Sequence, residues 1–357
     1  MNKKKSVLII GAGIHGLFIA VNLLQKFSSI NIDLVEGRKD ICLGTSSSTH
    51  NRANRGYHYP RSIKTTMECK EGWSYFYKNY KPFYKNISYS YYLIEKKSRT
   101  NLHKYKNFLK KVKLPYSEGY PNLNVKEKKF QGSIKVLEGC FNHFKLVNFL
   151  RKKLRNKNIK IIKNFEIKKT YFYKDNLVKL ISNRNKIISN NYNFIINATY
   201  TNVDKILDIF KLKNKKKTKT QNTIIPLVHS KKIIPGFTIM DGNFITVLPL
   251  SGSKNKYLIY DVKNSVYYRK TKQKYFKIKY LKMIEKLNKY FNFDFQFKLL
   301  KILKGTRPVP LIDKSSKRST IITKNKKGEI PIYSIREGKY ISAPLIARNF
   351  VKKLKNE

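Results

Sequence analysis

Residues 7–16 read Val-Leu-Ile-Ile-Gly-Ala-Gly-Ile-His-Gly, which sets Gly11, Gly13 and Gly16 at GxGxxG spacing directly behind four apolar residues. Val7–Ile10, apolar on both faces, is expected to be a short buried strand. Ile14–Lys26 continues at helical spacing, with Leu17, Val21 and Leu24 along one side. Ile30–Val35 makes a second strand, and Glu36 stands at its end, twenty residues past the last glycine. Strand, glycine turn, helix, strand and acid in that order describe a dinucleotide-binding βαβ unit.

Each glycine has its own task in such a unit. Gly11 permits the tight turn, and Gly16 lets the helix pack close to the sheet. Gly13 carries no Cβ to hold a pyrophosphate away from the backbone and the helix N-terminus. Glu36 is placed to accept hydrogen bonds from ribose hydroxyls, and its charge disfavours the 2′-phosphate of NADP. Ile14, His15, Gly37 and Arg38 flank these positions and complete the expected cofactor contacts on this stretch. His15 also reads simply as a helix N-terminal residue.

The rest of the chain sets limits. At 357 residues with 41% hydrophobic content it can bury one large core or two moderate ones, which excludes disorder throughout. The 77 Lys+Arg against 21 Asp+Glu give a formal charge of +56, a field that attracts nucleic acid or an anionic membrane surface at low salt. Lys outnumbers Arg roughly five to one, however, whereas base and phosphate readers lean on arginine's bidentate fork. Lys also rises together with Asn, Ile, Tyr and Phe, all encoded by A/T-rich codons. Specific nucleic-acid binding is therefore not expected, while peripheral membrane contact stays open. The one dense run, Lys211–Lys219, reads as a solvated loop.

Cys42, Cys69 and Cys140 are far apart and without CxxC spacing, and the six histidines lack ligand spacing with them. This argues for a reducing, cytoplasmic setting and against a disulfide framework or a metal site. The basic Met1–Lys5 and apolar Ser6–Leu24 imitate a signal peptide, yet the glycines sit within the apolar run and no small-residue cleavage site follows. No segment has the length and apolarity of a bilayer span.

Further along, helices are expected at Ser62–Tyr80, Leu102–Val112, Phe144–Leu154, Tyr275–Phe291 and Ala343–Leu354. Strands are expected at Tyr89–Glu95, Gly132–Leu137, Ile159–Ile162, Glu166–Tyr173, Val178–Ser182 and Phe194–Ala198. Short strands broken by Gly and Pro follow at Thr223–Val228, Phe237–Met240, Phe244–Pro249 and Tyr257–Asp261, the signature of an antiparallel sheet. Phe297–Gly305, Ser319–Thr323 and Tyr340–Ser342 complete the expected strands. The order implies a parallel-sheet domain (residues 1–80, 136–212 and 301–357) interrupted by a second domain with an antiparallel core (81–135 and 213–300).

Residues 46–71 read SSSTHNRANRGYHYPRSIKTTMECKE. This stretch resembles the segment after the second strand in the D-amino-acid oxidase family, which includes glycine oxidase and L-2-hydroxyglutarate dehydrogenase. The matching positions are Ser46–Ser48, Asn54, Gly56, His58, Tyr59 and Ser62-Ile63-Lys64. Collinear matches follow at Leu137–Asn142, Asn197-Ala198-Thr199, Asp241-Gly242…Pro249 and Gly305-Thr306-Arg307-Pro308-Val309. Two positions depart from the family. Tyr200 replaces its usual glycine, and the glycine-rich turn before the last helix is reduced to Gly338…Ser342-Ala-Pro344, where Ser342 can cap the helix and Pro344 open it.

The resemblance implies an α/β fold, with a Rossmann-like FAD-binding domain and an interleaved α+β substrate domain containing an antiparallel sheet. It adds Ser47, Asn54, Ala198, Thr199 and Ser342 to the FAD contacts. It implies hydride removal from a carbon bearing an amine or hydroxyl, with an electron acceptor that it does not identify. Arg307 matches an arginine that clamps a substrate carboxylate, a task suited to a planar guanidinium; pairing to an interior acid is the plainer alternative. His58 would take a hydroxyl proton as hydride leaves, or else bond the cofactor or backbone. Arg55, Tyr57 and Tyr59 would line the substrate. An NAD-dependent dehydrogenase and a basic binding protein without catalysis are the competing readings.

Overall fold

The computed structural model describes residues 5–86, 90–214, 217–242, 244–268, 273–310, 318–336 and 338–356. The chain divides into two compact units, Met1–Ser47 with Phe144–Thr220 and Arg307–Glu357, and Ser48–His143 with Gln221–Thr306.

The first unit is built on a six-stranded sheet. Its order is Ile321–Lys327, Ile330–Arg336, Phe194–Asn197, Lys5–Ile10, Ile30–Val35 and Ile159–Ile162. The pairings are parallel except that of Ile321–Lys327 with Ile330–Arg336. Val7–Ile10 is fully buried, as its apolar run requires of a central strand. From it the chain turns through Gly11 into helix Ile14–Lys26, which covers the sheet with Leu17, Phe18, Ala20 and Val21 and packs against helix Ala343–Asn356. Lys5–Ile10 thus has its sequence successor, Ile30–Val35, on one side and Phe194–Asn197 on the other. This is the topological switch point at which open α/β sheets bind ligands beyond the strand C-termini. A smaller antiparallel sheet (Ile167–Phe172, Leu177–Ser182 and Ile187–Asn191) completes the unit.

The second unit carries the antiparallel core. Its large sheet runs Val266–Tyr267, Thr218–His229, Lys256–Asp261, Ile245–Pro249, Gly236–Met240, Ser90–Glu95, Phe130–Val136 and Ser117–Glu118, and Lys298–Pro310 also pairs with Thr218–His229. Gly236–Met240 and Ser90–Glu95 are parallel neighbours. Helix Gln273–Asn288 lays Phe276, Tyr280, Met283 and Leu287 onto Phe237, Val247 and Ile259 in one apolar cluster. A second cluster joins Tyr57, Tyr92, Tyr105, Leu109 and Met240.

Several sequence expectations change. Tyr340–Ser342 is a turn and not a strand, because Gly338 at φ +97° bends the chain and Ser342 already accepts from the Ile346 N–H at 2.9 Å as the helix opens. Strand Ile330–Arg336 escapes a periodicity reading because Pro331 interrupts its signal; standing near the strand's start, the proline is tolerated. The edge strand Ile187–Asn191 is mostly exposed and polar, so it shows no apolar pattern. The short helix Val203–Ile209 was likewise not expected. The lysine run gives up Thr218 and Lys219 to a strand, while Lys215 and Lys216 lie outside the described residues, as do Tyr89 and Met1–Lys4. The first segment of the first unit ends at Ser47 and not near residue 80, because Arg52–Ala53 pairs with Gly139–Phe141 and Thr66 bonds to the Gly56 carbonyl, all inside the second unit.

Candidate cofactor site and substrate-side network

The glycine turn has the geometry its spacing predicts. A Cβ on Gly11, at φ +100°, would stand 2.8 Å from the Ala198 carbonyl oxygen, and one on Gly16 would stand 2.0 Å from the Gly11 oxygen. Above Gly13 there is room: a Cβ there would meet only Ser46 Oγ, at 3.5 Å, among the described residues. Ser46, matched to the family but not named as a cofactor contact from sequence, accepts from the Ile14 N–H at 3.2 Å at the start of the helix, where Gly13 supplies no side-chain cap.

Glu36 is held by two backbone amides. Ala12 N–H donates to Oε2 and Arg38 N–H to Oε1, both at 2.9 Å. The carboxylate is thereby fixed beside the glycine turn with further lone pairs to offer. Gly37 lies against Glu166, and the Arg38 carbonyl accepts from the Asn164 N–H. Ala198 N–H donates to the Ile10 carbonyl at 2.8 Å, so the ends of the two central strands meet at the cradle. Thr199 Oγ1 donates to Asn197 Oδ1 at 2.6 Å, and Ser47 Oγ to the Gly44 carbonyl at 2.9 Å. Tyr200 keeps the left-handed φ, +58°, that glycine would take without strain. Cys42 N–H donates to the Ala12 carbonyl, and burial pushes its thiol up to about 12.

His15 stands at the same helix start. Its Nδ1 is buried and has no partner among the described residues, and burial lowers its pKa to about 4, leaving the ring neutral. Ser342 is buried and donates through Oγ to the Lys339 carbonyl at 3.1 Å. The open space at Gly13, the pre-positioned Glu36 carboxylate and the orphaned His15 nitrogen fit a nucleotide cofactor with its pyrophosphate at the glycine turn.

In the second unit, residues 51–61 build a polar network around a residue the sequence reading passed over. The Arg52 side chain is 9% exposed. Its Nη1 donates to Tyr92 Oη at 2.6 Å and its Nη2 to Thr238 Oγ1 at 2.7 Å. Nη1 also lies 3.6 Å from Glu138 Oε2 and 3.4 Å from His58 Nδ1. Tyr92 Oη in turn donates to Glu138 Oε2 at 2.8 Å, and the Arg55 N–H donates to Glu138 Oε1 at 3.1 Å. One clue was available: in a chain that uses lysine for nearly all its positive charge, an arginine inside a Ser/Asn-rich run stands out.

The other expected substrate residues divide. The His58 ring meets Phe244 and Tyr59 edge-on, with centroids 4.7 and 5.4 Å away. Asn54 is buried, and its Oδ1 accepts from the Gly56 N–H at 2.7 Å, which shapes the turn. The Arg55 guanidinium lies 3.9 Å from the Trp73 ring centroid and donates to the Leu137 carbonyl. Tyr57 is fully buried; its hydroxyl donates to the Pro115 carbonyl at 2.6 Å, and burial raises its pKa to about 12. It packs in the core with Tyr92 and Tyr105. Arg61 pairs with Asp241 at 2.8 Å, and Thr100 donates to the same carboxylate. Arg307 is half-buried on strand Lys298–Pro310, and by its contacts it counts with the first unit.

The sequence profile of the family described as FAD dependent oxidoreductase (DAO) matches residues 6–334. No curated protein matches the chain by sequence. Among solved structures, the fold is similar to the L-α-glycerophosphate oxidase from Mycoplasma pneumoniae with FAD bound. That likeness has a TM-score of 0.75 at 14% identity and covers 98% of this chain and 94% of that one. Glycine oxidase from Geobacillus kaustophilus has a TM-score of 0.75 at 10% identity, with the same coverage of 98% and 94%. Glycerol-3-phosphate dehydrogenase from Bacillus halodurans, complexed with FAD, has a TM-score of 0.66 at 16% identity; the match covers 99% of this chain but only 65% of that longer one.

Proposed function

Because the chain belongs to the DAO family of FAD-dependent oxidoreductases, we propose that it oxidises a small, carboxylated amine or 2-hydroxy acid at the carbon that bears the nitrogen or oxygen. FAD, when bound, supplies a two-electron acceptor for hydride. The turn Gly11–Gly16 would hold its pyrophosphate, and Glu36 its ribose hydroxyls. Ala198, Thr199 and Ser342 would complete the contacts.

The protein's share is positioning. Oxidation removes a hydride from the substrate carbon and a proton from its nitrogen or oxygen, leaving an imine or a carbonyl. Arg307 carries the assignment of substrate class: it is a half-buried arginine in a Gly305-Thr306-Arg307-Pro308 segment, within a protein that otherwise prefers lysine. A guanidinium in partly dry surroundings pairs a carboxylate through two parallel hydrogen bonds, which an ammonium does not. For His58 we propose contact with the substrate's amine or hydroxyl, with Tyr59 beside it.

The lysine-rich surface enters only as a field: polyanions would bind without sequence preference and release as salt rises. No helix among the described residues is long and apolar enough to cross a membrane.

The test is anaerobic bleaching of the flavin band of the purified holoprotein by a panel of amino acids, N-alkyl amino acids, 2-hydroxy acids and their carboxyl-free analogues. Reduction confined to carboxylated compounds is expected. Equal reduction by the carboxyl-free analogues would overturn the substrate class. Oxygen and a dye acceptor offered in turn identify the oxidising partner.

A further inference from the structure

The network around Arg52 bears on a proton position that the family assignment leaves open. Arg52 leaves the strand pair at Ala53 and is anchored from three directions, by Tyr92, Thr238 and Glu138. Thr238 is itself bonded to Thr246 at 3.0 Å, so the anchor belongs to the large sheet. A guanidinium only donates and does not lose its charge in proteins. At 3.4 Å from His58 Nδ1, Nη1 leaves that nitrogen one workable state, a lone pair facing the N–H. A proton on Nδ1 would set two donors against each other, and an imidazolium would add a second positive charge beside the first. Phe244 and Tyr59 hold the ring edge-on and fix its plane.

We propose that Arg52 is a positioning residue that holds His58 as the neutral tautomer with its proton on Nε2, so that His58 meets the substrate as a hydrogen-bond donor and not as a base. Building on the function proposed above, a substrate alcohol would then have to give its hydroxyl proton to a group other than His58. An alcohol must surrender its hydroxyl proton to a base as hydride leaves, whereas a neutral amine drives hydride loss with its own lone pair.

The experiment is 15N NMR of the histidine-labelled holoprotein at pH 7, with the His58 resonances identified by their loss in His58→Gln. A pyridine-type Nδ1 and a pyrrole-type Nε2 are expected in the wild type. Arg52→Lys, which retains a cationic donor, should keep that pattern. Arg52→Met should convert it to a mixture of tautomers or an imidazolium. Because Arg52→Met leaves the buried Glu138 carboxylate without its cationic neighbour, Arg52→Met/Glu138→Gln is measured beside it to keep the fold. A protonated Nδ1 in the wild type, or an unchanged pattern in both methionine variants, would overturn the proposal. The signature needs no substrate, so failure to find an oxidisable amine or hydroxy acid would count against the substrate reading and leave the tautomer assignment standing.

Discussion

The imidazole of His15 lies against Gly338: a Cβ at Gly338 would stand 2.8 Å from His15 Nε2 and 2.9 Å from Thr320 Oγ1. The glycine fingerprint and the turn before the last helix, more than three hundred residues apart in sequence, thus share one packed contact. Gly338 also sits at φ +97°, where L side chains are strained. Gly338→Ala should therefore cost roughly 1–3 kcal/mol, read as a lower Tm in a thermal melt. An unchanged Tm would show that His15 yields freely.

Acid should weaken the fold before the carboxylates titrate. Burial lowers both His15 and His143 to about 4, from an ordinary 6.5. Between those values the unfolded chain binds protons that the folded one refuses, so stability is full above about 6.5 and declines as pH falls toward 4. Urea unfolding at pH 7.5, 6 and 5 should show this decline, and His15→Gln with His143→Gln should flatten it. A pH-independent midpoint over that range would refute the assignment.

Gly13→Val should yield folded protein without flavin. The space above Gly13 is open to within 3.5 Å of Ser46 Oγ, and a branched side chain would fill the place proposed for the pyrophosphate. Absorbance of the purified variant decides the matter, and stoichiometric flavin would move the site elsewhere.

Tyr200 occupies at φ +58° a position where the family usually carries glycine. Relief of left-handed strain is worth about 1 kcal/mol, so Tyr200→Gly should retain stability in spite of the lost ring. Tyr200→Val, β-branched at the same φ, should lower the Tm clearly. Equal melts for the two variants would mean that the backbone at 200 relaxes without cost.

Arg307→Ala should lower kcat/KM on the order of a hundredfold, since about 1.4 kcal/mol accompanies each tenfold and a charge-assisted pair is worth a few kcal/mol. Most of the loss should fall in KM, because a carboxylate is held in ground and transition states alike. Steady-state kinetics on whichever substrate bleaches the flavin give the split, and wild-type values would return Arg307 to a purely structural role.

The sequence by itself determined the parallel βαβ unit, its dinucleotide-binding signature and the antiparallel character of the second unit, while the choice of FAD over NAD rested on the family resemblance. Those signals are local: glycine spacing, an acid at a strand end, apolar runs of set length, and Gly/Pro breaks between short strands. Even Gly11 and Gly16, whose tasks the fingerprint states, needed only the backbone of their own turn and of the adjoining strand.

What the tertiary structure alone decided is which polar groups face one another. Tyr57 and Tyr59 are equal candidates as letters, yet one is buried beneath Pro115 and the other packs beside His58. Arg52 acquires its meaning from Tyr92, 40 residues on, and Thr238, 186 residues on. Hydrogen-bond partners that distant are fixed by strand register and by the burial of unrelated apolar side chains. No period or spacing near Arg52 encodes them.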